Sequence, residues 1–219
     1  MTFLNCWLSL LRWDSFQCLI RLRRLLRYPL ILLVFDFHAM ALLQYLVIHC
    51  TATPAGRWVS PQQVSDWHTL SKPYGNGWKK VGYSDLILLD GTRHSFVKHD
   101  QDAEIDPWEI TNGVAGINAI SRHLCYVGGL EASRQKPEDT RTPEQLQTML
   151  EIISEVLSYA PKVKIVGHNQ FAAKGCPSFF APFWLEKMKV PECNIEWQDP
   201  YGYAKFFGNP WKRNLLVKK

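Results

Sequence analysis

The chain has 219 residues, of which 47% are hydrophobic, 13% aromatic and 21% charged, and 25 basic against 20 acidic residues leave a formal charge of +5. That length accommodates one sizeable domain with appendages, and the composition excludes wholesale disorder, collagen and coiled coil. The small positive balance falls short of a nucleic-acid signature, so no nucleic-acid partner is expected. Six cysteines at positions 6, 18, 50, 125, 176 and 193 show no paired Cys-x-x-Cys spacing, which argues against a disulfide scaffold and a structural zinc knuckle alike. Nine tryptophans and eight tyrosines are read mostly as core packing.

Residues 1–39 differ from the rest. Arg12, Arg21, Arg23, Arg24 and Arg27 stand against Asp14 and Asp36, and this segment supplies +3 of the net charge. The apolar run from Tyr28 to Phe35 imitates a signal sequence, but Asp36 and His38 end it after about eight residues, too few to span a bilayer. A basic amphipathic arm touching a membrane is the weaker reading. The adopted one is a dispensable extension, with Met40 opening the folded unit.

Gln44–His49 is rich in large apolar and β-branched residues, as in a buried strand. Ser60-Pro61-Gln62-Gln63 combines an N-cap, a proline at the first helical position and a capping-box glutamine, predicting a helix to about Ser71. Ser84–Leu89 reads as a strand, Asp90-Gly91 as a hairpin turn and Thr92–Val97 as the return. An acidic, irregular stretch runs from His99 to Thr111, and Ala119–Val127 is a further strand ended by Gly128-Gly129. Thr142-Pro143-Glu144-Gln145 repeats the cap signal. Leu146, Met149, Leu150, Ile153, Val156, Leu157 and Ala160 then follow on one helical face. Lys164–Gly167 is a last short strand, followed by a loop and a brief helix from about Ser178 that Pro182 should confine. Alternating strands and helices predict an α/β fold: a single domain with a central mixed β-sheet flanked by helices. The domain is assigned to residues 40–187, with residues 188–219 as an aromatic-rich tail packing on it.

Two segments place good metal ligands just at the end of a buried strand, where a rigid element aims them. They are His49-Cys50-Thr51-Ala52-Thr53 and the run from His168 to Cys176. Two imidazoles and one thiolate make a three-ligand zinc set with a fourth position left for water. By alternation Cys50 points away from His49 and is read as packing. His68 is read as packing or a hydrogen bond, His94, His99 and His123 as structural or exposed, and Cys125 as core.

In this order these blocks resemble the zinc-dependent N-acetylmuramoyl-L-alanine amidases of the second type, the family of the small phage amidases and the peptidoglycan recognition proteins. The similarity runs from about Leu46 to Phe183. It includes Val81-Gly82-Tyr83, Asp90-Gly91-Thr92, Gly116-x-Asn118 with Ser121, Val127-Gly128-Gly129, Thr140 to Gln145, and Gly167-His168 to Phe179. The resemblance implies one zinc per chain on His49, His168 and Cys176, and a catalytic pair in Tyr83 and Lys174. These two would donate hydrogen bonds to the oxyanion of a tetrahedral intermediate, or Tyr83 would orient the attacking water. It implies hydrolysis of the amide between N-acetylmuramic acid and the L-alanine of the stem peptide. The partner would be peptidoglycan, met as a monomer at the bacterial cell wall, from the periplasm or on phage release. The alternative is a non-catalytic peptidoglycan-binding module of the same fold.

Two departures bear on substrate contacts. Ser84 and Gly113 stand where many relatives carry histidine. Asn112 is the expected substitute at the second place, with Asn118 as a further substrate contact. The stretch Lys98–Thr111 departs from the family and is expected to form a lid.

Overall fold

The computed structural model describes residues 41–134 and 136–208. Along them run β1 (Ala41–Leu42), β2 (Tyr45–Cys50), β3 (Thr53–Pro54), α1 (Pro61–Thr69), β4 (Asp85–Ile87), β5 (Arg93–Ser95), β6 (Glu104–Ile105), β7 (Ser121–Tyr126), β8 (Gly129–Leu130), α2 (Pro143–Tyr159), β9 (Lys164–Gly167), α3 (Ala181–Lys187) and α4 (Tyr203–Phe207). Five strands make the main sheet in the order β5-β4-β7-β2-β9. β4, β7, β2 and β9 are parallel, and β5 returns antiparallel at the edge through the expected hairpin. The fold is therefore mixed α/β with a central mixed sheet, as the alternation of elements predicts.

Strand alternation divides the core between the two faces of this sheet. Leu46, Ile48, Leu124, Tyr126 and Ile165 face α2, joining Met149, Ile152, Ile153 and Val156. Val47 and Val166 lie in a second cluster with Val114, and Leu86, Cys125 and Val127 in a third with Val59 and Val64. Each fully buried large aliphatic chain contributes about 1.5–3 kcal/mol. The central strands are apolar on both faces because both are covered.

Both predicted capping boxes form. In α2 the Gln145 N–H donates to Thr142 Oγ1 at 3.1 Å and the Thr142 N–H to Gln145 Oε1 at 3.0 Å. The Gln145 amide nitrogen also donates to the carbonyls of Ile87 and Val127, which fastens the helix start to β4 and to the end of β7. In α1 Ser60 and Gln63 make the same exchange. That helix ends at Thr69, short of Ser71, because Leu70 turns extended.

Pro182 differs from expectation. Expected to confine or bend the helix, it sits at the second residue of α3 instead, where in the first turn its missing N–H costs no helical hydrogen bond. The helix begins at Ala181 instead of near Ser178, whose φ of 73° keeps it outside any helix.

The acidic stretch 98–111 is not built as a lid. Glu104–Ile105 pairs with Ala41–Leu42, and the His99 imidazole lies 3.2 Å from Glu109 and 3.5 Å from Asp85. Asp85 is fully buried and takes Arg122 at 2.8 Å and Arg93 at 2.9 Å, while Arg93 reaches on to Glu155 of α2 at 2.6 Å. Burial alone would raise the Asp85 carboxyl; His99, Arg122 and Arg93 instead hold it far below the usual carboxylate range. The stretch is thus clamped to the sheet by an ion cluster whose members the sequence scatters over seventy residues.

In the tail, the Gln170 amide donates to the carbonyls of Glu196 and Gln198, and the Trp197 ring packs near Phe183. Phe206 and Phe207 line, with Phe183 and Trp184, a cavity of about 510 Å³. The expectations for residues 1–39 and for Trp211 lie outside the described residues.

Candidate active site

β2 and β9 are parallel neighbours, so their C-terminal ends open on the same edge of the sheet, where open α/β sheets place ligands. His49 is the penultimate residue of β2, and His168 directly follows β9. Their rings lie 4.7 Å apart, and both are buried. The half-buried Cys176 comes from the loop that follows, with Sγ 3.8 Å from His49 Nδ1. One ligand atom from each of these three residues lies within 4.8 Å of the others.

Local hydrogen bonds shape that loop. The Gly167 N–H donates to Gln170 Oε1, the Asn169 amide to the Phe179 carbonyl and the Tyr126 hydroxyl to the Pro177 carbonyl. The Ser178 hydroxyl donates to the Gly129 carbonyl, where an added Cβ would meet Cys50 Sγ at 2.4 Å. Cys50 points to the α2 face, as alternation predicts, but its backbone N–H donates to Cys176 Sγ at 3.2 Å.

Burial, with His168, His123 and Lys174 nearby, holds the His49 imidazole well below its ordinary pKa, and burial followed by Lys174 lowers His168 to about 4. Both rings are therefore neutral at pH 7, which is the ligating form. Burial pushes the Cys176 thiol up, but a divalent cation would deprotonate it, and the Cys50 N–H already favours the thiolate. Two neutral imidazoles and a sulfur with a position left open suit zinc.

Tyr83 is half-buried beside this group, its ring 5.3 Å from His49 and its hydroxyl 3.5 Å from the Cys50 carbonyl. Burial raises its pKa well above the phenol value, so it stays an O–H donor. His68 holds the segment: its Nδ1 accepts the Gly82 N–H at 3.2 Å, while its ring stacks on Trp78 and meets Tyr83 edge-on. A cleft of about 360 Å³ borders the group and is lined by His168, Lys174, Trp78, Asn112 and Gly113. None of residues 98–111 lines it.

Of the two expected substrate contacts, the exposed Asn112 lies in the cleft wall. Asn118 does not. Its Oδ1 accepts the Val114 N–H at 2.8 Å and its amide reaches Asn112 at 3.4 Å, so it braces the 112–118 loop from behind. His94 is exposed, and His99 belongs to the Asp85 cluster. The residue that sequence reasoning read only as structural or exposed, and did not connect with the site, is His123, which is fully buried with Nδ1 3.1 Å from His49 Nε2. The signal was parity: β7 pairs His123 with Val47 and Cys125 with His49, which places His123 and His49 on one face.

A family model described as N-acetylmuramoyl-L-alanine amidase matches residues 40–179. The endolysin of Enterobacteria phage K11 is 34% identical over 139 residues, 64% of this chain and 83% of that protein. Among solved structures, the Ph2119 endolysin from the Thermus scotoductus MAT2119 bacteriophage superposes with a TM-score of 0.50 at 22% identity, covering 71% of this chain and 86% of that one. The endolysin N-acetylmuramoyl-L-alanine amidase LysCS from Clostridium intestinale URNW does so with a TM-score of 0.53 at 18% identity, again over 71% and 86%.

Proposed function

The chain belongs to the type-2 N-acetylmuramoyl-L-alanine amidase family, and from that premise we propose that its peptidoglycan amidase activity depends on one zinc ion held by His49, His168 and Cys176. The observation that carries the zinc reading is the convergence of these three ligand atoms within 4.8 Å from two strand ends and one loop. The hydrolase is the unit from Met40 to Lys187. When bound, zinc supplies a Lewis acid for the scissile carbonyl and acidifies a water into a nucleophile near neutral pH.

The chain's own residues supply positioning and charge. Tyr83, kept protonated by burial, donates from its hydroxyl to the oxygen that gains charge as the carbonyl is attacked, and the Lys174 ammonium lies at the same cleft. Asn112 and Trp78 offer a carboxamide and an aromatic wall to the stem peptide and the adjoining sugar. The oxygen of a water attacks the lactyl carbonyl carbon and forms the new C–O bond, the C–N bond breaks, a proton from that water passes to the departing amine of L-alanine, and the lactyl group is left as a carboxylate. Retention of the whole set His49, His168, Cys176, Tyr83 and Lys174 favours turnover over binding alone.

The test is zinc stoichiometry on purified protein beside release of free L-alanine amino termini from intact peptidoglycan, with a chelator control. One zinc per chain and chelator-sensitive release are expected. Release without zinc would overturn the metal assignment, and zinc without release on several wall types would point to the binding module.

A further inference from the structure

Two buried imidazoles meet behind the metal group. His49 turns Nδ1 toward Cys176, with Sγ 3.8 Å away, and turns Nε2 toward His123 Nδ1 at 3.1 Å. If Nδ1 carries the lone pair for the metal, Nε2 carries the proton, and His123 must be the acceptor. We propose that His123 is a positioning residue for the metal centre, fixing the tautomer and ring angle of His49 by accepting its Nε2–H. The inference rests on the zinc reading above and extends it to a residue outside the ligand set.

Three observations carry it. His123 Nε2 is buried without a hydrogen-bond partner among the described residues, so the ring's only polar contact from its side chain is the one to His49. An orphaned buried donor costs about 1–3 kcal/mol, which an aliphatic residue filling the same space would avoid. The imidazole therefore does more than pack. Second, β7 is a central strand of the sheet, and a rigid strand orients a ligand better than a loop. Third, Gly113 makes room for it: a Cβ there would lie 2.3 Å from His123 Nδ1 and 2.4 Å from its Cγ. The imidazole enters from the sheet the space that a side chain at position 113 would need, and glycine leaves it free.

Metal ligands lose about 10–100-fold in affinity when such an outer partner is removed. Zinc affinity is to be measured by chelator competition on the full chain, together with the visible spectrum of the cobalt-loaded form. His123→Ala is expected to weaken zinc by about 10–100-fold and to shift the cobalt bands. His123→Asn, whose carboxamide oxygen takes nearly the place of Nδ1, should keep close to the starting affinity. Gly113→Ala should mimic His123→Ala by displacing the ring, and His123→Ala combined with Gly113→His should recover binding. Unchanged affinity and cobalt spectrum in His123→Ala would overturn the proposal. Should that variant not fold, unchanged affinity in Gly113→Ala would do so. A starting protein that binds no zinc would overturn the metal reading and this one together.

Discussion

At the scale of single residues the site separates groups that could hold a metal, under the function proposed above, from groups proposed to act beside it. Cys176 is hydrogen-bonded by a backbone N–H and faces both imidazoles, whereas Lys174, two residues earlier, is exposed at the rim of the cleft. Lys174 lowers the pKa of His168 and of His49 by its charge, so it lies close enough to act on whatever charge develops there. Replacing it removes a cation without removing a ligand. Lys174→Ala is accordingly expected to retain zinc while turnover drops by about 10²–10³-fold, read as kcat against metal content. Normal turnover in that variant would remove Lys174 from the mechanism. Cys176→Ser, by contrast, should lose zinc and activity together, because a hydroxyl does not replace a thiolate as a ligand. The candidate ligand set was legible in the residues themselves, since the histidines stand at strand ends and the cysteine closes a short loop, whereas the role proposed for Lys174 comes only from the family resemblance. His123 was not, because its contact with His49 spans 74 positions and depends on strand register.

At the scale of elements, the parallel strands β2 and β9 supply both imidazoles, and the segment leading into β4 carries Tyr83. What keeps β4 in place is partly apolar packing and partly the buried carboxylate at its first residue, which joins Arg93 of β5, Arg122 of β7 and, through Arg93, Glu155 of α2. Removing one member of such a buried pair strands the remaining charge, which costs far more than the pair contributes. Asp85→Asn is therefore expected to lower stability by about 3–5 kcal/mol, read as a lower urea midpoint, with zinc content unaltered below the transition. An unchanged midpoint would show that the cluster is screened by solvent. The strands and both capping boxes could be read from local pattern. The two-residue pairings β1 with β6 and β3 with β8 could not, because so short a strand has no periodicity and exists only through its partner.

Across the whole molecule, burial of several imidazoles links stability to pH when metal is absent. His168 is lowered to about 4 and His123 to about 3, chiefly by burial, and His49 is likewise held well below its usual value, first by burial. From about pH 6.5 down to about 4, the unfolded chain takes up protons that the folded chain refuses, so stability is full above that window and is lost as pH falls through it. The chelated protein should lose about 3 kcal/mol from His168 alone between pH 7 and pH 4, seen as a falling thermal midpoint. A midpoint flat over that range would mean that these rings are solvated. The amino-acid sequence by itself determined the α/β class, the capped helices and the strand ends carrying His49 and His168, because each rests on residue type and spacing within a short window, and the family through the order of its resembling blocks. Only the tertiary structure decided that His123 backs His49, that Gly113 is small to admit it, that Asn118 braces a loop and that the acidic stretch is clamped rather than hinged. Those outcomes depend on which strand lies beside which and in what register, and that is set by burial of the whole core rather than by any local run of residues.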